Sequence, residues 1–242
     1  AARKVWDVSK VREARDVIRE AKVKNEKIHL ARVFGICVEK GSELPAGDKN
    51  RKMKGRYVLG GNDVRDEVGE AAFFQELSSN PATPEASRYV DAYGLVGGNA
   101  TEGGDGDQAY TQVPWDQPLT IKTWVRLPKD FSPKGFDRFH DPVVPLLRAL
   151  YGHPDAGGLW EKHCEDATLA AGVQRIAGDA WSSVFWHPKK LLLLVVYVDD
   201  VKMSGPKTHL APGWKTLKGA GLVLTNIEHV KRYLGCDHVR VE

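Results

Sequence analysis

At 242 residues, 42% apolar and 28% charged, the chain can bury a sizeable core as one large domain or two small ones, and it is too apolar to be disordered throughout. Its longest apolar run, Leu191 to Val198, falls far short of the roughly 20 residues that a membrane span needs. Three scattered cysteines without a C-x-x-C pair (Cys37, Cys164 and Cys236) suggest neither a disulfide framework nor a zinc site and fit a reducing compartment.

The net charge of +3 conceals an asymmetry. Residues 1–56 hold 16 Lys/Arg against 8 Asp/Glu, a balance of +8, so the remaining 186 residues carry −5. Such a basic stretch can track a phosphate backbone, or it can be a solvated helix face. The first residues, Ala1-Ala2-Arg3-Lys4, have no apolar signal core.

In chain order, Val8, Val11, Ala14, Ile18 and Ala21 recur at helical spacing, with Asp7 or Ser9 as a cap. Ile28 to Glu39 reads as a strand, Lys40 to Asn50 as a polar loop, and Lys54 to Gly60 as a short strand that begins basic. Pro84 to Leu95 reads as a helix capped by Thr83, with Pro84 in its first turn. Gly97 to Gly104 reads as a loose glycine-rich segment. Strands are expected at Ile121 to Leu127 and Val143 to Tyr151, and an amphipathic helix at Leu159 to Ala171. A His187-Pro188 turn joins expected strands at Trp181 to Trp186 and Leu191 to Val198. A helix near Trp214 to Lys218 and strands at 221–225 and 233–239 follow. Helices and strands alternate without a βαβ rhythm, which indicates an α+β fold, a largely antiparallel sheet with helices packed on one face.

Chemistry concentrates in Tyr197-Val198-Asp199-Asp200, two adjacent carboxylates between β-prone runs. Paired carboxylates repel and are costly to desolvate; a hard cation such as Mg²⁺ relieves both problems. The bland alternative is an Asp-Asp turn that only closes a hairpin. A two-metal site also needs a carboxylate from a separate strand, so that cations about 3.5–4 Å apart can be bridged. Asp105-Gly106-Asp107-Gln108-Ala109-Tyr110 supplies a candidate. A calcium loop is excluded there, because its sixth position requires Gly and holds Tyr110.

In the same order, these segments resemble the reverse transcriptases of copia-type retrotransposons. Lys54-Gly55-Arg56-Tyr57-Val58 is similar to the family's Lys-Ala-Arg-Leu-Val strand, and Asp105 to Tyr110 to its Asp-x-x-x-Ala-Phe/Tyr motif. Thr123 to Phe131 is similar to a segment ending Gln-Pro-Pro-Gly-Phe, and Ala149-Leu150-Tyr151-Gly152 with Trp160 to Ala-Leu-Tyr-Gly-Leu-Lys-Gln-Ala-Pro-Arg-Ala-Trp. Tyr197 to Asp200 matches the Tyr-x-Asp-Asp box, and Arg232 to Asp237 resembles Tyr-Phe-Leu-Gly-Ile-Glu.

The resemblance implies a single domain of fingers-and-palm fold over 1–242. A basic fingers-like part would cover about 1–104 and a palm-like part about 105–242. It implies RNA-directed DNA synthesis with an RNA template, a DNA primer and dNTP, driven by two Mg²⁺ (or Mn²⁺) on Asp105, Asp199 and Asp200. It gives Tyr110 to the incoming sugar, Val198 to the primer terminus, Lys54 and Arg56 to the triphosphate, and Tyr197 to substrate binding. It places the chain inside the cell, in a cytoplasmic particle or the nucleus, as part of a polyprotein, with no membrane partner. Asp107 is a rival to Asp105, which is preferred because it stands five residues before Tyr110 as in the family. One departure matters: Asp155 stands where the family has a dNTP-contacting Gln. With no thumb or RNase H segment evident, the alternative is a decayed copy that keeps the fold and binds nucleic acid non-specifically; an unrelated α+β domain with an Asp-Asp turn is a third reading.

Overall fold

The structure is a computed structural model that describes residues 3–74, 82–118, 120–176, 181 and 183–239. The helices are α1 (Ala14–Lys24), α2 (Pro84–Gly94), α3 (Ala156–Ala170) and α4 (Lys207–Gly219). The strands are β1 (Arg12–Glu13), β2 (Ile28–Lys40), β3 (Lys52–Leu59), β4 (Asn99–Gly106), β5 (Lys122–Arg126), β6 (Pro142–Pro145), β7 (Gln174–Arg175), β8 (Val184–His187), β9 (Leu192–Tyr197), β10 (Asp200–Pro206), β11 (Leu224–His229), β12 (Arg232–Tyr233) and β13 (Cys236–Asp237). The chain divides into two compact units, Ala1–Glu76 with Val113–Ala156, and Leu77–Gln112 with Gly157–Glu242.

The first unit holds a five-stranded sheet in the order β1-β6-β5-β2-β3, antiparallel except where β2 runs parallel to β5. Helix α1 buries Ala14, Val17 and Ala21 against Ile28, Leu30, Trp124 and Val143. Asn25 ends it in the left-handed conformation that a C-terminal cap requires. The helix starts later than its periodicity suggests. Asp7 accepts hydrogen bonds from Lys4 Nζ, Ser9 N and Ser9 Oγ and nucleates a separate 3₁₀ turn over Val8–Lys10. Strand β2 is buried over its first half and exposed over its second, where it pairs only with β3 as a projecting ribbon. Gly152, at φ +88°, explains the Tyr151-Gly152 pair: a side chain there would meet the Leu59 carbonyl, one residue from where Leu59 N donates to Tyr151 O at 2.7 Å.

The second unit holds a six-stranded antiparallel sheet in the order β11-β4-β10-β9-β8-β7, and a small β12–β13 hairpin. Thr83 caps α2 by accepting from Ala86 N, with Pro84 in the first turn as expected. Helix α2 packs Ala86 and Val90 on Val184, Val195, Val230 and Tyr233. In place of the single helix-covered face expected, α2 and α4 cover opposite faces of this sheet. Lys202 of β10 reaches Ser87 and Asp91 on α2, whereas its neighbour Met203 abuts Gly213 on α4. The reason is visible in β9: Leu192, Leu194 and Val196 alternate with Leu193, Val195 and Tyr197, so both faces are apolar and both need cover.

Further elements differ from the sequence expectation: the strand expected over 233–239 is the β12–β13 hairpin, and the one expected over 221–225 is β11, Leu224–His229. The segment Gly97 to Gly104, expected to be loose, lies largely within β4, paired on both sides between the edge strand β11 and β10. Its glycines are spaces for neighbours: a Cβ on Gly104 would sit 3.1 Å from Ile227, and one on Gly106 would sit 3.2 Å from Trp160. Helix α4 runs from Lys207, longer than its apolar stretch suggests, with Pro212 inside it. Val143 to Tyr151 is a strand only as far as Pro145. Ser182, inside the expected 181–186 strand, lies outside the described residues. Among the described residues, no helix is long and apolar enough to cross a membrane.

Candidate active site

Strands β9 and β10 are joined by the two-residue turn Val198-Asp199, with Tyr197 paired to Asp200. Val198 takes φ +52°, a backbone conformation that costs a β-branched residue strain. The turn is held from two sides. The fully buried Trp160 of α3 donates from Nε1 to the Val198 carbonyl at 2.5 Å, and Gly106 N donates to the Asp199 carbonyl at 2.6 Å. Trp160 read from sequence as a core residue; its indole also clamps the hairpin.

On its other side β10 pairs with β4, and the register sets Asp200 directly opposite Asp105. Cross-strand partners project to one face, so the two carboxyls are neighbours. Asp200 is partly buried. Desolvation, then the charges of Asp199 and Asp105, push its carboxyl up to about 6. Asp105 is exposed, and its Oδ2 accepts from Asn226 Nδ2 at 2.7 Å. Asn226 sits at φ +51° in the irregularity of β11 between Thr225 and Glu228, where Asn tolerates the left-handed region. Sequence reasoning missed Asn226, because a lone Asn at a bulge carries no periodic signal.

Asp107 lies past the end of β4. Its backbone N donates to Val223 O, while the buried Gln112 bridges the same segment by donating to Asp107 O and Val223 O and accepting from Val223 N. Asp105 thus stands in the ladder opposite Asp200 and Asp107 does not. Tyr110 is half-buried in a 3₁₀ turn over Ala109–Gln112. Burial raises its phenol, and the charges of Asp199 and Glu161 add to this. Tyr197 packs on the α2 cluster. A groove of about 250 Å³ beside the pair is lined by Asp105, Asp200, Asn226, Arg232 and Tyr233 among others.

Lys54 and Arg56 belong to the first unit, exposed on β3 opposite Val38 and Ile36. Arg56 lies 5.8 Å from the Tyr151 ring centroid. Asp155, in the same unit, has its carboxyl raised by burial.

Among the described residues, no three His, Cys, Asp or Glu side chains converge as a ready-made metal cage. The oxygen-only donor set around Asp105 and Asp200 still suits Mg²⁺, which keeps several waters and commonly takes one or two protein carboxylates together with substrate phosphates.

No family model matches the chain, and no curated protein matches it. Among solved structures, it is similar to a foamy viral protease-reverse transcriptase in complex with double-stranded DNA, at 14% identity and a TM-score of 0.37, over 88% of this chain. It spans 30% of that protein.

Proposed function

We propose that the second unit carries the catalytic centre of an RNA-directed DNA polymerase of the copia reverse-transcriptase type, which adds nucleotides from dNTP to a primer 3′-hydroxyl. The carrying observation is the register of Asp200 on Asp105, with the Asp200 carboxyl pushed up to about 6. Two strands have placed like charges where ionising both is costly until a cation arrives. The collinear motifs support the same reading.

On it, Asp105 and Asp199 are the principal holders of two Mg²⁺, and Asp200 is secondary. When bound, such ions lower the pKa of the attacking hydroxyl and neutralise the triphosphate and the departing pyrophosphate. The Tyr110 ring stacks beneath the incoming sugar, where it excludes a 2′-hydroxyl. Val198 touches the primer terminus, and Tyr197 belongs to the substrate-binding set. Lys54 and Arg56 clamp the triphosphate, the arginine by its bidentate fork. RNA template and DNA primer are the partners, alongside the rest of a retrotransposon polyprotein.

The test is primer extension on an RNA template with Mg²⁺ or Mn²⁺, beside Asp199→Asn. Extension that the substitution abolishes supports the reading. No extension from either protein, with salt-sensitive nucleic-acid binding through residues 1–56, supports a decayed copy instead.

A further inference from the structure

The sheet face that carries Asp105 and Asp200 also holds a buried cation. Lys202 lies two residues beyond Asp200 on β10 and has no exposed surface. Its Nζ donates to Ser87 Oγ at 2.5 Å and to the two Asp91 carboxylate oxygens at 2.8 and 2.9 Å, both partners standing on α2. The same ammonium lies 4.5 Å from the centroid of the Tyr233 ring. Asp91 has a second partner in His238 Nε2, at 3.1 Å. Tyr233 is 5% exposed. Its hydroxyl donates to the Asp200 carbonyl at 3.4 Å, and its ring lines the groove shared with Asp105 and Asp200.

Packing alone does not explain this lysine. Its cross-strand partner Val195 belongs to an apolar cluster with Val90, Val184 and Val230, and a leucine would fill the position with no charge to desolvate. A buried ion pair adds little stability over an apolar filling, but it enforces one arrangement, since the ammonium must meet Asp91. That arrangement runs in an unbroken line of contacts from α2 through Lys202 and Tyr233 to the backbone of Asp200.

We propose that Lys202 is a positioning residue for the Asp105–Asp200 pair: held by Asp91, it fixes the Tyr233 ring, and the Tyr233 hydroxyl fixes the Asp200 backbone, so that the two carboxyls stand at the separation that captures a divalent cation. Lys202 itself touches no reacting atom. The inference rests on the polymerase reading and deepens it.

The experiment is Mn²⁺ titration of the whole chain, followed by electron paramagnetic resonance, with circular dichroism as the check on folding. The informative variants are Tyr233→Phe, which removes only the hydroxyl, and the double variant Lys202→Met/Asp91→Asn, which removes the ion pair without leaving a buried charge unpaired. Val90→Ala is the control, because it loosens the same α2 packing without touching the line of contacts. Both informative variants are expected to bind Mn²⁺ at least fivefold more weakly than wild type while keeping its spectrum, and Val90→Ala to bind like wild type. Wild-type affinity in the two informative variants overturns the inference alone, as does an equal loss in Val90→Ala. A wild-type chain that binds no Mn²⁺, or binds it undiminished after Asp105→Asn, overturns the polymerase reading and the inference with it.

Discussion

Asp200→Asn is expected to stabilise the metal-free protein, and the structure says by how much and where in pH. Moving a carboxyl from 3.8 to about 6 costs the folded state about 3 kcal/mol once the group is ionised. Solvent screening of a partly exposed group cuts this to about 2 kcal/mol. The sign follows from a folded-state value that is raised. Below pH 3.8 the carboxyl is protonated in both states and costs nothing. As pH rises, the unfolded chain ionises first, and the native state is penalised progressively. Above about 6 the loss is complete. Asparagine keeps the shape and removes the charge. Urea unfolding in EDTA should therefore find the variant about 2 kcal/mol more stable at pH 7.5, with the gap closing near pH 4. Mg²⁺ should narrow the gap at pH 7.5 by stabilising the wild type through binding. A variant no more stable than wild type at pH 7.5, or a gap of equal size at both pH values, would refute the reasoning.

Four further outcomes are expected. Val198→Gly should raise stability by about 0.5–1 kcal/mol in urea unfolding, because glycine accepts φ +52° without strain. Trp160→Phe leaves the Val198 carbonyl without its indole donor and should cost about 1–3 kcal/mol, with faster amide exchange over residues 197–200. Asn226→Ala barely touches stability, since its hydrogen bond to Asp105 is exposed, but should weaken Mn²⁺ binding about tenfold in the same titration. Alkylation of the folded chain should label Cys37 and Cys236 and spare Cys164, which is buried with its thiol pushed up to about 12; mass spectrometry counts the labels.

Local signals were enough for much of this chain. Thr83-Pro84 announced α2, because a capping hydroxyl and a residue with preset φ act within one turn. The apolar run ending in Tyr197-Val198-Asp199-Asp200 announced a hairpin with charge at its tip. What stayed illegible depends on partners distant in sequence. Gly103, Gly104 and Gly106 look like a loop until Val230, Ile227 and Trp160 are seen filling the space that side chains would occupy. Lys202 looks like an ordinary strand charge until Asp91, 111 positions earlier, closes on it. Asn226 reaches Asp105, and Tyr233 reaches Asp200, only through strand pairing and hydrogen bonds between distant segments. The sequence by itself determined which groups bear charge, where turns and caps fall and which runs are apolar, because these depend on neighbours a few residues away. The tertiary structure alone decided that Asp200 faces Asp105, that both sheet faces are covered and that a buried ion pair lies beneath the carboxyls, because register and packing are settled by contacts between segments that local sequence cannot specify.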